Sequence, residues 1–167
     1  MAKTKEQKKE VVEKIEATLK NAASAVLVHF KGINVAQETT MRRGFRSDGL
    51  GYTVAKKSLI RRALTSLGHD HANMPLEGEI AIAYNTTQDG DPTLAARRVH
   101  GFGKDFGPEK LTILGGLFEG ALVDASAMRE IATIPSMQAL RGMFAQLVNS
   151  PRVRFAVVLS KVAEGKA

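Results

Sequence analysis

The sequence predicts an α/β protein: a single N-terminal domain on a mixed sheet with flanking helices, followed by a helical C-terminal arm. Three observations carry this. Short apolar runs rich in β-branched residues, SAVLVHF at Ser24–Phe30 and IAIAY at Ile80–Tyr84, have the length of buried strands. Amphipathic helical patterns lie between such runs. Beyond Ile134 and Pro135 the alternation stops and only helix-spaced apolar residues remain. We therefore divide the chain into an α/β domain at 1–133 and an arm at 134–167.

Residues 2–20 predict a first helix, with Thr4 as its cap and Val11, Val12, Ile15 and Leu19 as one apolar stripe. Its lysines gather at the start, where the helix dipole prefers acids. After the strand at Ser24–Phe30, Lys31 and Gly32 form a turn. Asn34 is then the expected cap of a helix reaching Arg46. The SDGLG segment at Ser47–Gly51 is a turn, and Tyr52, Thr53 and Val54 read as the end of a second strand. Lys56 and Lys57 sit where that strand gives way to another helix. Ser58 is its expected cap, and Leu59, Ile60, Ala63 and Leu64 are its buried stripe.

NTTQDGDP links the Ile80–Tyr84 strand to a helix expected from about Pro92 to Phe106, with proline in its first turn. Lys110–Phe118 reads as a further strand with a bulge at Gly115 and Gly116. A short helix follows at Ser126–Ala132. In the arm, Leu140, Met143, Phe144, Leu147 and Val148 form one helical stripe. Ser150 and Pro151 look like a cap and first-turn pair that open a separate helix, in which Phe155, Val158, Leu159 and Val162 form a second stripe that Val153 and Val157 widen. So apolar a terminal helix needs a cover, either its own domain or a partner.

Charge is segregated along the chain. From Arg42 to Arg62 there are seven basic residues against one acid, Asp48, whereas Ala63–Ala96 carries five acids and no Lys or Arg. Four of these, Lys56, Lys57, Arg61 and Arg62, crowd one strand-to-helix junction, where lysines oppose the dipole and an anion would relieve them. With a net charge of +7, the partner classes are nucleic acid or an anionic surface, the alternative being a merely solvated basic face. No apolar run approaches the roughly 20 residues of a spanning helix, and the N-terminus lacks a signal-peptide core, so a cytosolic protein is expected. The absence of cysteine excludes disulfides, thiolate metal sites and cysteine nucleophiles. Few aromatic residues and no Trp argue for gripping backbone and shape over stacking bases.

Catalytic patterns are missing. His69 and His71 flank Asp70 with no spaced third ligand, so no metal site is expected. GFGKDFG at Gly101–Gly107 follows a helical pattern instead of a strand and matches no phosphate-loop motif. Neither a cofactor nor an enzymatic activity is expected.

The order of parts resembles one family over nearly the whole chain. The lysine-rich first helix, SAVLVHFKGINVAQ, TVAKKSLIRRAL, LEGEIAIAY, KLTILGGLFEG and an apolar terminal helix resemble the bacterial ribosomal protein L ten family, the stalk-base proteins of the large subunit. The most specific piece is Val54–Arg62, where Lys57 stands in place of the family's common asparagine. The resemblance implies a structural protein docked with the L eleven protein on rRNA at the base of the lateral stalk. On the matching positions it implies RNA contacts at Lys5, Lys8, Lys9, Lys31, Gly32, Arg43, Lys56, Lys57, Ser58, Arg61 and Arg62. It further implies that Val153, Phe155, Val158, Leu159 and Val162 carry dimers of the acidic L seven/L twelve stalk protein, which recruit translational GTPases, two dimers at most unless the stripe from Leu140 to Val148 also takes part. Members of the family also bind their own mRNA as repressors. Two alternatives stay open: a free-standing RNA-binding repressor, and a small nucleotide-using α/β enzyme acting through Lys56 or Lys57.

Overall fold

A computed structural model describes residues 5–68, 78–86, 91–107 and 109–165. The chain forms two compact units, Met1–Ile134 and Pro135–Ala167. The first unit contains α1 (Lys5–Asn21), β1 (Ser24–Phe30), α2 (Val35–Ser47), β2 (Leu50–Ala55), α3 (Lys57–Ser66), β3 (Ile80–Asn85), α4 (Leu94–Phe106), β4 (Leu111–Phe118), β5 (Ala121–Asp124) and α5 (Ala125–Thr133). The second unit is α6 (Met137–Glu164). Thr4, His69 and His71 lie outside the described residues.

The α/β class holds, but the expected mixed sheet does not: every strand pairing is antiparallel, in the order β2-β3-β1-β4-β5. The reason is topological. Each helical crossover, β1-α2-β2 and β3-α4-β4, joins strands that run the same way, yet a third strand inserts between them, β3 in the first case and β1 in the second. Two interleaved split βαβ units thus give an antiparallel ladder from an alternating chain.

Alternation along the strands sends side chains to two cores. Val26, Val28, Ala83, Leu111 and Ile113 pack with Met41 and Phe45 of α2, with Ala95, Ala96 and Val99 of α4, and with Met128 and Ala132 of α5. Ala25, Leu27, Ile80 and Ile82 pack on the other face with Ile15 and Leu19 of α1 and with Ile60, Ala63 and Leu64 of α3. Both faces are covered, which is why β1 and β3 read as unbroken apolar runs. The register shift against β1 between Leu27 and Val28 inserts one extra β4 residue at Leu114, beside the expected Gly115–Gly116 bulge. It changes the alternation, so Ile113 serves the first core and Leu117 the second.

Local signals explain the element ends. Asn34 caps α2, and the Gln37 side chain accepts from the Asn34 N–H at 3.2 Å. Helix α4 begins at Leu94, later than expected, because the Asp91 carboxylate organises the entry: its Oδ1 accepts from the Thr93 N–H at 3.0 Å and from the Thr93 hydroxyl at 2.6 Å. Arg97, a turn further on, pairs with the same carboxylate. Burial on its own would raise the Asp91 pKa, but the hydrogen bonds from Thr93 and the Arg97 guanidinium outweigh it and hold the carboxyl below its ordinary value. The unfolded chain therefore takes up this proton first as pH falls, and stability is lost as pH drops from the ordinary carboxylate range through the lowered folded value. Urea midpoints measured from pH 6 to pH 3 should fall less steeply for Asp91→Asn than for the unaltered chain, and equal slopes would remove Asp91 from the acid response.

Helix α6 corrects the expectation of two arm helices. It is continuous from Met137 to Glu164 with Pro151 inside, and Ser136 caps it by accepting from the Ala139 N–H at 3.3 Å. An interior proline costs about 3 kcal/mol. No residue of α6 is buried, so the carbonyl that loses its donor has water as a substitute partner. No helix among the described residues is long and apolar enough to cross a membrane.

Candidate nucleic-acid interface

The strand registers bring the basic residues to one end of the sheet. Ala55 lies opposite Ile80, Ile80 opposite His29, and Phe30 opposite Leu111, so the last residues of β2 and β1 and the first of β3 and β4 form one edge. Backbone hydrogen bonds finish it: Phe30 N–H to Glu79 O at 3.2 Å and Lys31 N–H to Lys110 O at 2.9 Å. The His29 ring adds a bond from Nδ1 to the Glu79 carbonyl at 3.0 Å, which makes it a structural histidine of this edge. Strands about 4.8 Å apart place Lys56, Lys31 and Lys110 within a few strand widths of each other.

Both helices that leave this edge start there, α2 after Asn34 and α3 after Lys56. The two-residue link Ala22–Ala23 turns α1 back over β1. At about 25 Å, α1 matches the length of β1, so its first turn reaches the same end. Lys8 and Lys9 are exposed there, and Lys5 begins the helix.

Helix α3 carries the densest part. Ser58 is not its cap, as the sequence suggested: the capping position belongs to Lys56, which has no side-chain acceptor, and the first turn contains no acid. Lys56, whose φ and ψ are extended, still offers its carbonyl to the Leu59 and Ile60 N–H groups at 2.9 and 3.2 Å. Lysine holds the position that Asp or Ser favours, so the positive end of the helix dipole is reinforced by charge instead of neutralised. From there a recess of about 530 Å³ runs along α3, lined by Lys57, Ser58, Arg61, Arg62, Thr65 and Ser66. Lys57 and Arg61, and Ser58 and Arg62, stand one turn apart, about 6 Å, on the exposed side. Leu59, Ile60, Ala63 and Leu64 are buried beneath, which fixes the cations outward. Among the described residues none of Lys56, Lys57, Arg61 or Arg62 forms an ion pair.

Lys31 and Gly32 sit in the exposed turn beside this edge. Gly32 has φ +65, a left-handed conformation that side chains resist, and open space around it lets a ligand backbone come close. Arg43 is separated from the others: it is exposed on α2, which packs on the opposite face of the sheet from α1 and α3. Its neighbour Arg42 is occupied, paired with Glu38 at 2.7 Å and lying 5.1 Å over the Tyr52 ring. Burial pushes the Tyr52 hydroxyl up to about 12, with Arg42 opposing. Arg98 is likewise spent on Asp48, at 2.6 Å, tying α4 to the end of α2. Among the described residues no group of His, Asp or Glu could hold a metal ion.

Val153, Phe155, Val158, Leu159 and Val162 are all exposed on α6, and so are Leu140, Met143, Phe144, Leu147 and Val148. A signal in the arm sequence accounts for both stripes. RGMFAQLVN at Arg141–Asn149 recurs as RVRFAVVLS at Arg152–Ser160, so that Arg141, Phe144, Ala145, Leu147 and Val148 map onto Arg152, Phe155, Ala156, Val158 and Leu159 eleven residues later. Eleven residues make about three full turns, so the two copies share one face of α6. Val153 falls off that face, nearly opposite Val162 on a helical projection.

The fold and this distribution of charge define a class: a basic split-βαβ domain followed by a long helix that exposes apolar residues. The family pattern described as Ribosomal protein L10 matches residues 3–104. The chain is 36% identical over 166 residues to the large ribosomal subunit protein uL10 of Shouchella clausii, covering 99% of this chain and 97% of that protein. It is 33% identical over 161 residues to the protein of the same name from Staphylococcus aureus, covering 96% and 94%, and 32% identical to that of Staphylococcus carnosus. The chain belongs to the ribosomal protein L10 family. It is a structural protein of the large ribosomal subunit in the cytoplasm, associated with translation, and not an enzyme.

Proposed function

We propose that the basic end of the sheet docks on rRNA at the base of the lateral stalk, beside the L eleven protein, and that α6 anchors dimers of the acidic L seven/L twelve protein that recruit translational GTPases. In this reading residues 1–133 are the RNA-binding domain and 134–167 the arm. The observation that carries the RNA half is the uncapped, cation-reinforced N-terminus of α3 opening into the recess lined by Lys57, Arg61 and Arg62. Such a terminus is an anion site, and its one-turn repeat of cations suits a run of phosphates. Lys8, Lys9, Lys31, Gly32 and Lys56 extend the same contact, whereas Arg43 would meet RNA only if the strand reached the other face.

The duplication in α6 supports the arm half. Two copies of one apolar segment on one face offer two equivalent docking places, hence two dimers, with the Leu140–Val148 stripe taking one of them. Val153, off that face, should matter least among the five arm residues assigned by resemblance.

The two halves use different physics, which makes them separable. Binding of the unaltered chain to the stalk-base rRNA fragment should weaken steeply with salt, and Lys57→Gln with Arg61→Gln should lower the slope of log K against log salt by about 2. Dimer binding through apolar contact should change far less over the same series. An RNA slope unmoved by the double substitution would count against this placement of the interface.

A further inference from the structure

A second cleft lies at the same end of the domain, on the opposite face of the sheet from α3. It measures about 460 Å³, within the size of small-molecule sites, about 300–1,000 Å³, and lies between the second half of α4, the start of β4 and α5. Its floor is apolar: Val99, Leu111 and Ile113 are all buried. Gly103 lets α4 approach β4 closely, since a Cβ there would stand 3.3 Å from the Leu111 carbonyl oxygen. The rim is different. His100 is half-buried, Lys104 and Arg129 are exposed, and among the described residues neither cation forms an ion pair. Among the described residues no acid lines the cleft.

We infer that this cleft receives one unpaired nucleotide of the bound RNA, the base against the Val99–Leu111–Ile113 floor and its phosphate between Lys104 and Arg129. The inference rests on the RNA-docking reading given above and extends it round the sheet edge. A phosphate alone has no use for an apolar floor, and an apolar side chain has none for two unpaired cations. A nucleotide needs both. The imidazole of His100 at the rim supplies a ring on which a base can stack. Continuity favours RNA as the source: β4 enters the cleft directly from Lys110, whose carbonyl is bonded to Lys31 on the basic edge. Gly103 and Lys104 of the GFGKDFG segment then have a role, the glycine in the close approach of α4 to β4 and the lysine at the rim of a nucleotide cleft reached from a helix and not through a phosphate loop.

The test is an amide NMR titration of the full chain with adenosine monophosphate, adenosine and inorganic phosphate, each against the unaltered protein and against Lys104→Gln with Arg129→Gln. The monophosphate should shift the amides of Gly103, Lys104, Thr112 and Arg129 saturably and bind about tenfold tighter than phosphate, and the double variant should lose the effect. Equal affinity for phosphate would reduce the site to an anion site and overturn the proposal. A glutamate-rich peptide displacing the monophosphate at lower concentration would overturn it in favour of a protein ligand. A second arm compares an RNA hairpin bearing one bulged nucleotide with the same hairpin fully paired. The bulge should improve binding about tenfold in the unaltered chain and not at all in the double variant. No bulge preference in the unaltered chain would mean a free nucleotide is the ligand and refute the RNA source. Lys57→Gln with Arg61→Gln separates the two ideas: it should weaken both hairpins alike while keeping the bulge preference.

Discussion

Phe144→Glu or Phe155→Glu should each remove one of two stalk dimers from the arm, and the double substitution should remove both while leaving rRNA binding intact. The two phenylalanines occupy the same place in the duplicated segment and are 68% and 66% exposed, so placing a carboxylate there leaves α6 folded and changes only what docks on it. An aromatic anchor in a docking segment typically contributes 2 kcal/mol or more, about thirtyfold in affinity at the least. A carboxylate facing an acidic partner adds repulsion to that loss. Native mass spectrometry of the chain with excess L seven/L twelve protein counts the dimers directly. Loss of both dimers from Phe155→Glu alone would mean one continuous site in place of two, and full occupancy in the double variant would take the arm out of partner binding altogether.

The largest effect on stability should come from Gly116→Ala. A Cβ at Gly116 would stand 2.2 Å from the Ala25 carbonyl oxygen, 2.9 Å from Met128 Cε and 3.0 Å from Val26 Cα. Two of these obstacles are backbone of β1, to which β4 is hydrogen-bonded in the middle of the sheet, so neither can swing aside. Overpacking of this kind costs about 3 kcal/mol, a large share of the stability of a domain this size. Gly101→Ala is the control: it lies in α4 with nothing near its Cβ and should stabilise by about 0.5–1 kcal/mol through helix propensity. Urea unfolding of both variants reads the contrast, and a Gly116→Ala midpoint within error of the unaltered chain would refute the packing argument.

Most of the first unit was legible residue by residue. The SAVLVHF strand, the Asn34 cap and the buried Leu59–Leu64 stripe appear where periodicity and capping chemistry placed them, because those signals are local and every level of the fold agrees with them. Strand β5 was missed: ALVD is four residues long and only half-buried, too little for an alternation to register. The Ser150–Pro151 pair misled for the opposite reason, since a strong local stop signal was overridden within a helix none of whose residues is buried. At the interface the cations were recognisable singly by type and density. Ser58 was misread because Lys56, one of the least suitable residues, took the capping place.

The sequence by itself determined most helices and strands of the first unit, which face of each is apolar and where the positive charge is densest, since all of these follow from neighbours within a few positions. Only the tertiary structure decided that the sheet is antiparallel, that α1 and α3 share one face with Arg43 on the other, and that Lys31, Lys56 and Lys110 meet at one edge. Those outcomes depend on which distant strands pair, and pairing is governed by how two split crossovers bury both faces at once, a global condition that no short window of sequence contains.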